Sequence, residues 1–509
     1  MANLNNSSAN TAAPATPPPG EWKLPNELTL KIALYSQDRE ICNLAAVSKK
    51  TSEVTADNSH LWRIIFCQEF DLPTDKDLTS KEIKELYQKR RKFLRSGCFC
   101  FKDGNTKGET KALRSLLELI IEAYPSWFSE AHGHLVSLNV AKVNIFAYEH
   151  NLLANVNRHF RGNKNPQLIA LQLVLPHLNL GLELGGIALN PTFGFHDSQK
   201  AVYETALSKL IFQNGWNNID VEWVMHCTNF FKYHLTSPDA QTAFQAFAEI
   251  PDEFHIKALE GGLHNEGHAL GNKWMGTFAY LDQNELGALR RARANDNLDI
   301  FQDKHIDESK FQMLNMEFPT GDMTSEWPSY FEDSLHSLAP LHEPRTRAQR
   351  RSPSPSKKAF YFEADGIDED EPFRSKGWLN PLPSQYGIPG WQRMTMMKYF
   401  EEPDGSPAMD SLWAYEGVVI PGGKVIVGRW WSVSGLPINQ NQYCGPFILW
   451  AIPRDDDFDL LGYVADQTDG LPMMDGAADE PDAYELDTDE DYVQTPRTIE
   501  IKTPTTPFF

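Results

Sequence analysis

The stretch from Leu24 to Phe70 constrains this chain most, because it reads as a small helical module with more apolar side chains than it can bury alone. Apolar residues recur every four positions around Pro25, a pattern typical of a short helix with one apolar stripe. The stripe consists of Leu24, Leu28 and Ile32. Asp38, and then Asn58 or Ser59, are candidate caps for a second and a third helix. Three short helices bury little surface, so we expect a partner surface to cover the remaining apolar side chains.

The order and spacing of these residues resemble an F-box, the module by which substrate receptors dock onto the Skp-type adaptor of cullin-RING ubiquitin ligases. The resemblance rests on Leu24-Pro25-x-Glu27-Leu28, Ile41-x-x-Leu44-x-x-Val47-Ser48-Lys49 and Leu61-Trp62-Arg63. It implies that the leading Leu-Pro and the apolar residues of the helices face the adaptor. The implied contact residues are Leu24, Pro25, Leu28, Ile32, Ile41, Leu44, Val47, Leu61 and Trp62. The alternative is an ordinary helical bundle that begins with Leu-Pro.

Charge argues against general nucleic-acid binding. The net charge is −22, whereas affinity for nucleic acid needs a cationic surface. The charge is uneven, because fifteen acidic residues and one arginine lie between Arg454 and Asp491. We also expect no membrane span, since the most apolar segment, Leu168 to Leu189, is broken by Pro176, His177 and other polar residues.

Six cysteines in 509 residues give no disulfide framework, so a reduced intracellular compartment fits best. Residues 1–20 lack the basic start and apolar run of a signal peptide, and we expect a soluble protein of the cytoplasm, the nucleus or both. Lys89-Arg90-Arg91-Lys92 reads either as a nuclear import signal or as the solvated basic end of a helix.

Periodicity divides the rest of the chain into a helical part and a strand part. Helical stripes run from Lys111 to about Lys257, and from Gly271 the pattern changes to at least seven strands. The clearest signal is a hairpin in which Leu412–Ile420 meets Lys424–Trp431 through Pro421-Gly422-Gly423. We therefore predict an α+β multidomain fold: a three-helix F-box, a helical middle region and an antiparallel β-barrel or sandwich.

The predicted boundaries follow composition. The N-terminus and the acidic tail should be disordered, as should a loop rich in Pro, Ser and Arg. The boundaries are 1–20 for the disordered N-terminus, 21–70 for the F-box, 71–260 for the helical region, 271–453 for the β domain, 337–358 for its loop and 454–509 for the tail. Ser352-Pro353 and Ser354-Pro355 in that loop are candidate phosphorylation sites, or a flexible segment without that role.

A second resemblance lies in the β region. Its motifs are similar to the C-terminal part of filamentous-fungal F-box proteins, a group that brings no transferable chemistry. The motifs are Gly390–Phe400, Trp413–Lys424, Gly428–Trp431 and Gly445–Trp450, with Gly276–Asp282 and Trp327–Glu332. An F-box joined to a larger C-terminal domain implies that this domain captures the substrate.

Candidate chemical sites are few. His264 and His268 have i, i+4 spacing, but the glycines around them argue against the helix that would bring both to one metal. His226 and Cys227 are neighbours on a predicted helix and point about 100° apart, so we read them as core. We predict no metal, no cofactor and no catalytic residue.

Aromatic and arginine residues of the β region suggest a cup for an anionic or peptide-like ligand. The alternative is the packed core of a barrel with arginines at its rim. The candidate pocket residues are Trp391, Arg393, Trp413, Tyr415, Arg429, Trp431 and Trp450.

Two functions follow from these patterns. In the first, the chain is the non-catalytic substrate receptor of a ubiquitin ligase, with the Skp-type adaptor, a cullin scaffold and an unidentified protein substrate as partners. In the second, the barrel binds a small ligand or catalyses a reaction, and the F-box only regulates it.

Overall fold

The structure is a computed structural model of the 509-residue chain, and the described residues all lie in Met1–Phe458, the first of its two units. The described residues are 24–56, 59–73, 77–96, 105–129, 134–150, 152, 165–180, 194–204, 211–213, 216–257, 259, 262–263, 267–291, 301–308, 310–338, 359–368, 371–433 and 443–453. Predictions for the N-terminus, the acidic tail, His264, the two Ser-Pro pairs and nearly all of loop 337–358 fall outside these residues. Ser337, the first residue of that loop, is described and is buried.

The N-terminal module contains four described helices, where the sequence predicted three. They are α1 (Asn26–Leu34), α2 (Asp38–Val47), α3 (Lys49–Ala56) and α4 (Ser59–Glu69). The chain breaks between α2 and α3 at Ser48, whose backbone is extended and whose side chain accepts a hydrogen bond from the N–H of Thr51. Helix α2 is capped by Gln37, which forms a capping box with Glu40. The prediction that Asp38 is the cap is therefore wrong, because Asp38 is the first residue of the helix.

Helices and two small hairpins make up the middle of the chain. The helices are α5 (Ser80–Ser96), α6 (Thr106–Ile121), α7 (Leu138–Glu149), α8 (Pro166–Leu173), α9 (Pro176–Asn179), α10 (Phe195–Tyr203), α11 (Val221–Thr236) and α12 (Thr242–Glu249). The hairpins are β1 (Trp127–Ser129) with β2 (His134–Val136), and β3 (Phe212–Gln213) with β4 (Asn218–Ile219). Periodicity did not predict these short strands, because two or three residues are too few to show a period of two.

The C-terminal region is a closed antiparallel barrel of eight strands, which confirms the predicted α+β class. The strands are β5 (Lys273–Phe278), β6 (Gln312–Glu317), β7 (Phe360–Asp368), β8 (Glu371–Pro381), β9 (Gln392–Tyr399), β10 (Trp413–Val419), β11 (Val425–Ser432) and β12 (Cys444–Ala451). Each strand pairs with the next in chain order, and β5 also pairs with β12 to close the barrel. Helices α13 (Gln283–Arg291) and α14 (Ser329–Leu335) lie between strands in the chain.

The sequence patterns did not predict strand β8. Its Pro372, Gly377 and Pro381 weaken the strand pattern, yet it pairs along its length with both β7 and β9. The predicted β10–β11 hairpin is present, and its turn places Gly422 at φ 100° and Gly423 at φ 68°. These left-handed conformations explain why the turn uses glycine.

Side chains alternate between the inside and the outside of the barrel. The inward set forms one buried cluster: Leu270, Trp274, Leu314, Met316, Phe362, Ala364, Phe373, Leu379, Met394, Met396, Tyr415, Val419, Ile426, Trp430, Phe447 and Leu449. Outside, α14 packs on the barrel through a second cluster that includes Phe331, Leu335 and Trp378. Helix α11 also packs on it, and Cys227 lies 3.7 Å from the carbonyl oxygen of Gly428.

Among the described helices, none is both long enough and apolar enough to cross a bilayer.

Candidate functional site

One face of α1 carries exposed apolar side chains. Leu28 is 47 % exposed, Ile32 is 43 % exposed and Tyr35 is 84 % exposed. They line an open apolar groove of about 440 Å³ together with Leu24, Lys31 and Ser36. The opposite face of α1 turns Thr29 and Ala33 into the bundle, and this anchoring fixes which side chains remain outside. A groove of this kind is suited to an apolar partner surface.

The nine implied adaptor contacts divide into an accessible and a buried set. Leu24, Pro25, Leu28, Ile32 and Val47 are exposed or half-buried. Ile41, Leu44, Leu61 and Trp62 are buried within the bundle, so in this structure they cannot touch a partner directly. This corrects the sequence interpretation for those four residues, whose regular spacing serves the core of the module.

Trp62 illustrates the core role. Its indole N–H donates to the carbonyl oxygen of Thr55 at 2.8 Å, and its ring contacts Tyr87 of α5 at a centroid distance of 6.0 Å. A buried indole with a satisfied N–H stabilises packing between helices. Trp62 therefore belongs to the packed core where α4 meets α5.

The basic run at the end of α5 forms ion pairs with neighbouring helices. Lys89 lies 2.8 Å from Glu118 of α6, and Arg90 pairs with Glu122. Arg91 contacts both Asp38 of α2 and Glu69 of α4. The run thus forms part of the folded structure, where it joins the N-terminal module to the helical region.

Asp71, which lies just after α4, makes a second connection between the N-terminal module and the helical region. It is fully buried and accepts hydrogen bonds from the Ser126 and Ser137 hydroxyls and from the N–H groups of Leu138 and Asn139. A carboxylate that collects several donors is held firmly. The N-terminal module is therefore fastened to α7 as well as to α5.

The predicted cup in the barrel does not form, because its residues lie on opposite sides of the barrel wall. Tyr415 is buried in the inner cluster, and half-buried Trp413 packs against it. Trp431 belongs to the outer cluster under α14. Trp450 packs on Phe247, and its indole N–H donates to the carbonyl oxygen of Phe254.

The other three residues of the predicted cup, Trp391, Arg393 and Arg429, also do not line a pocket. Trp391 is buried just before β9. Arg393 and Arg429 both bind Glu416 on the outer surface of the barrel. The seven residues therefore do not line a common pocket, which corrects the sequence interpretation.

The buried carboxylate of Glu416 is stabilised by its two arginines. Burial would raise the pKa of Glu416, but the charges of Arg393 and Arg429 outweigh it and hold this pKa below its usual range. Arg393 also donates to the carbonyl oxygens of Leu335 and His336 at 2.6 and 3.0 Å. These carbonyls end α14, so the network ties that helix to the wall of the barrel.

One end of the barrel holds a cluster of charged and polar side chains that the sequence did not predict: Lys398, Asp368 and His305. Lys398 pairs with Asp368 and lies 4.2 Å from the ring centroid of Phe373. His305 lies 3.1 Å from Asp368 and stacks on Phe278 at 3.7 Å. Burial would raise the pKa of Asp368, but the hydrogen bond with His305 and the charge of Lys398 bring it to about 2.

Comparison with known proteins bears on the N-terminal module. A family model described as F-box-like matches residues 22–68, which cover the groove-bearing helix α1 and nearly all of α2–α4. These residues therefore form an F-box-like domain, as predicted. No curated protein and no protein of solved structure matches the chain.

Proposed function

We propose that this chain is a substrate receptor of a cullin-RING ubiquitin ligase. The F-box-like domain docks on a Skp-type adaptor and through it on a cullin scaffold, while the C-terminal barrel captures a protein substrate. The observation that carries the proposal is the exposed apolar groove on α1, inside the stretch that matches the F-box-like family. F-box-like domains in general serve as adaptors in ubiquitin ligases.

The accessible residues define the docking face. Leu24, Leu28 and Ile32 follow one another at intervals of four, so they form a continuous stripe along α1. Val47, at the end of α2, is also exposed, at 58 %. Burying these side chains against an apolar partner removes them from water, which is the main favourable term in association.

The attachment of the domain supports the second half of the proposal. Ion pairs of α5 and the hydrogen bonds of Asp71 fasten the F-box-like domain to the helical region. The helical region in turn packs on the barrel through α11. A substrate held by the barrel would keep a defined position relative to the docked ligase, and transfer by proximity needs such positioning rather than a catalytic residue in this chain.

The order of the chain supports the same division of labour, because the F-box-like domain precedes a larger C-terminal barrel. We assign substrate capture to the barrel on this basis, with the cytoplasm or the nucleus as the site of action.

The test is a binding titration between the purified full chain and a Skp-type adaptor. The double variant Leu28→Ala, Ile32→Ala should weaken binding at least about 30-fold, since each truncation removes about 1–1.5 kcal/mol of apolar burial. Met409→Ala is the matched control, because Met409 is an exposed apolar residue on a barrel loop, 56 % exposed against 47 % for Leu28 and 43 % for Ile32.

The control should bind like the parent chain. Undiminished adaptor binding by the double variant would refute docking through α1. Circular dichroism should show unchanged helix content in all three proteins, because the altered side chains lie outside the bundle core.

A further inference from the structure

Six large apolar side chains are exposed along one stretch of the helical region, between the end of α6 and the end of α7. All six are between 41 and 57 % exposed. We call this set the hairpin patch: Ile121, Trp127, Phe128, Leu135, Ile145 and Tyr148. Exposed apolar residues grouped in this way mark interaction surfaces. The patch shares no residue with the groove on α1, so adaptor docking does not account for it.

The hairpin of β1 and β2 directly precedes α7, which keeps the members of the patch close together. Phe128 and Leu135 are direct cross-strand partners, so their side chains leave the sheet on the same face. Ser137 alone separates β2 from α7, and its side chain caps the helix by accepting a hydrogen bond from the N–H of Val140. Helix α7 has twelve residues and is therefore about 18 Å long. An interface of about 800 Å² per partner is roughly 30 Å across, so one partner can cover the hairpin and the helix together.

Both the hairpin and α7 direct apolar side chains outward. Trp127 and Phe128 are neighbours on β1 and point to opposite faces, yet both are exposed, so the hairpin stands out from the helical region. Helix α7 buries Val143 and Phe146 on its inner side, which leaves Ile145 on the outer side, with Tyr148 three positions further along. The outer side of a surface helix is normally polar.

The stretch that carries the patch contains little charge, which favours a second copy of the chain as the partner. Its 24 described residues include two charged ones, Glu122 and Lys142, a much smaller share than the 23 % of the whole chain. Glu122 pairs with Arg90 of α5. Lys142 lies 2.7 Å from Glu69 of α4. A twofold contact brings identical surfaces together, and like charges would repel there. A membrane surface would instead call for lysines or arginines around the apolar residues.

The exposed area of the patch is what a stable dimer needs. An aromatic side chain can bury about 200 Å² and an aliphatic one about 100 Å². With half of each side chain exposed, the six supply about 450 Å² of apolar surface. A standard interface buries about 800 Å² per partner, of which about 56–65 % is apolar. The patch therefore provides the apolar part of one such interface.

We propose that the hairpin patch is the interface of a homodimer with a twofold axis, in which the hairpin of each copy packs on the outer side of α7 of the other copy. One sequence then supplies both halves of the contact, as a twofold interface requires. Within the described sheets, β1 and β2 pair only with each other, and a two-stranded hairpin is marginally stable without further packing. The second copy supplies that packing. Under the proposed receptor function, the dimer carries two adaptor-docking faces.

The test is sedimentation equilibrium of the purified full chain over about 1–100 µM. We expect the mass to approach twice 57.8 kDa at the upper end of this range. The double variant Trp127→Ala, Phe128→Ala should raise the dimer dissociation constant at least about 100-fold, because buried aromatic residues carry most of the energy of an interface. A parent chain that stays monomeric throughout would overturn the proposal and assign the patch to a different protein.

The second variant, Ile145→Lys, tests the helical half of the interface. It places a charge against the apolar hairpin of the other copy, so it should dissociate the dimer as strongly as the hairpin variant. A dimer that survives both changes would show that the chain associates through another surface. Circular dichroism should match the parent chain for both variants, since the altered side chains are exposed.

Leu28→Ala, Ile32→Ala is the matched control, because it truncates two exposed apolar side chains outside the patch. This control should dimerise like the parent chain. The hairpin variant should in turn bind a Skp-type adaptor like the parent chain, so failure of the dimer and failure of adaptor docking are seen separately. A control variant that loses the dimer would place the contact on α1 and overturn the proposal.

Discussion

Arg393 on β9 and Glu416 on β10 form a buried ion pair on the outer surface of the barrel, with 2.8 Å between Nη2 and Oε1. Arg429 of β11 binds the other oxygen of the same carboxylate at 3.1 Å. One carboxylate thus holds two guanidinium groups from the strands on either side of its own. The two arginines that the sequence suggested as ligand contacts are instead structural partners of Glu416.

Glu416→Gln should destabilise the barrel strongly. The change leaves two buried guanidinium groups side by side without their shared anion, and breaking a buried ion pair costs about 3–5 kcal/mol. Denaturant unfolding followed by tryptophan fluorescence measures the loss. Asp365→Asn is the control, because the pair of Asp365 with Arg374 is exposed and should change stability by less than about 1 kcal/mol. Equal effects of the two variants would contradict this account.

Val47→Ala and Trp62→Ala should separate the accessible and buried parts of the F-box-like domain. Val47 is exposed, so its truncation should weaken adaptor binding several-fold, by about 1 kcal/mol, and leave the thermal midpoint unchanged. Trp62 is buried, so its truncation should cost about 3–5 kcal/mol of stability. Paired binding and melting measurements check this. A Trp62→Ala variant that melts like the parent chain would refute the core assignment.

Asp38→Asn should loosen the connection between the F-box-like domain and α5. Asp38 accepts hydrogen bonds from Tyr87, Arg91 and Arg95, and loss of charged hydrogen bonds costs about 1–3 kcal/mol. Hydrogen exchange measured by mass spectrometry should speed up in the C-terminal half of α5. Glu53→Gln, on the exposed side of α3, should leave that exchange unchanged.

Acid should reveal the contribution of Asp368. Its pKa is lowered from 3.8 to about 2, so its stabilising effect is complete above pH 4 and is lost as pH falls through 2. The difference corresponds to about 2 kcal/mol. Unfolding free energies of the parent chain and of Asp368→Asn should converge over this interval. A constant difference from pH 5 to pH 2 would show that Asp368 titrates normally.

Local patterns predicted the elements of this fold well. The four-residue spacing of Leu24, Leu28 and Ile32 gave α1 and its apolar stripe, and Pro421-Gly422-Gly423 gave the hairpin turn. Both signals depend only on neighbouring residues. Strand β8 escaped because its two prolines and its glycine interrupt the alternating pattern, although its Phe373 and Leu379 belong to the inner cluster.

Contacts between distant segments could not be read from the sequence. The faces of β10 and β11 depend on register, and Glu416 pairs with Arg429 while Tyr415 pairs with Trp430. A register shifted by one residue would exchange the inner and outer sides, which is why the predicted cup mixed both. His234 and Asp303 are hydrogen-bonded although they are 69 residues apart, so no motif spacing could connect them.

The closed barrel also restricts how a substrate can be recognised. In the described part of the barrel every strand pairs with two neighbours, so the barrel has no edge strand to which an extended peptide could add. Under the proposed receptor function, the barrel would therefore bind its substrate through side chains on the connecting loops or on the outer wall. Specificity of such a receptor can change by substitution in the loops while the ring of strands stays the same.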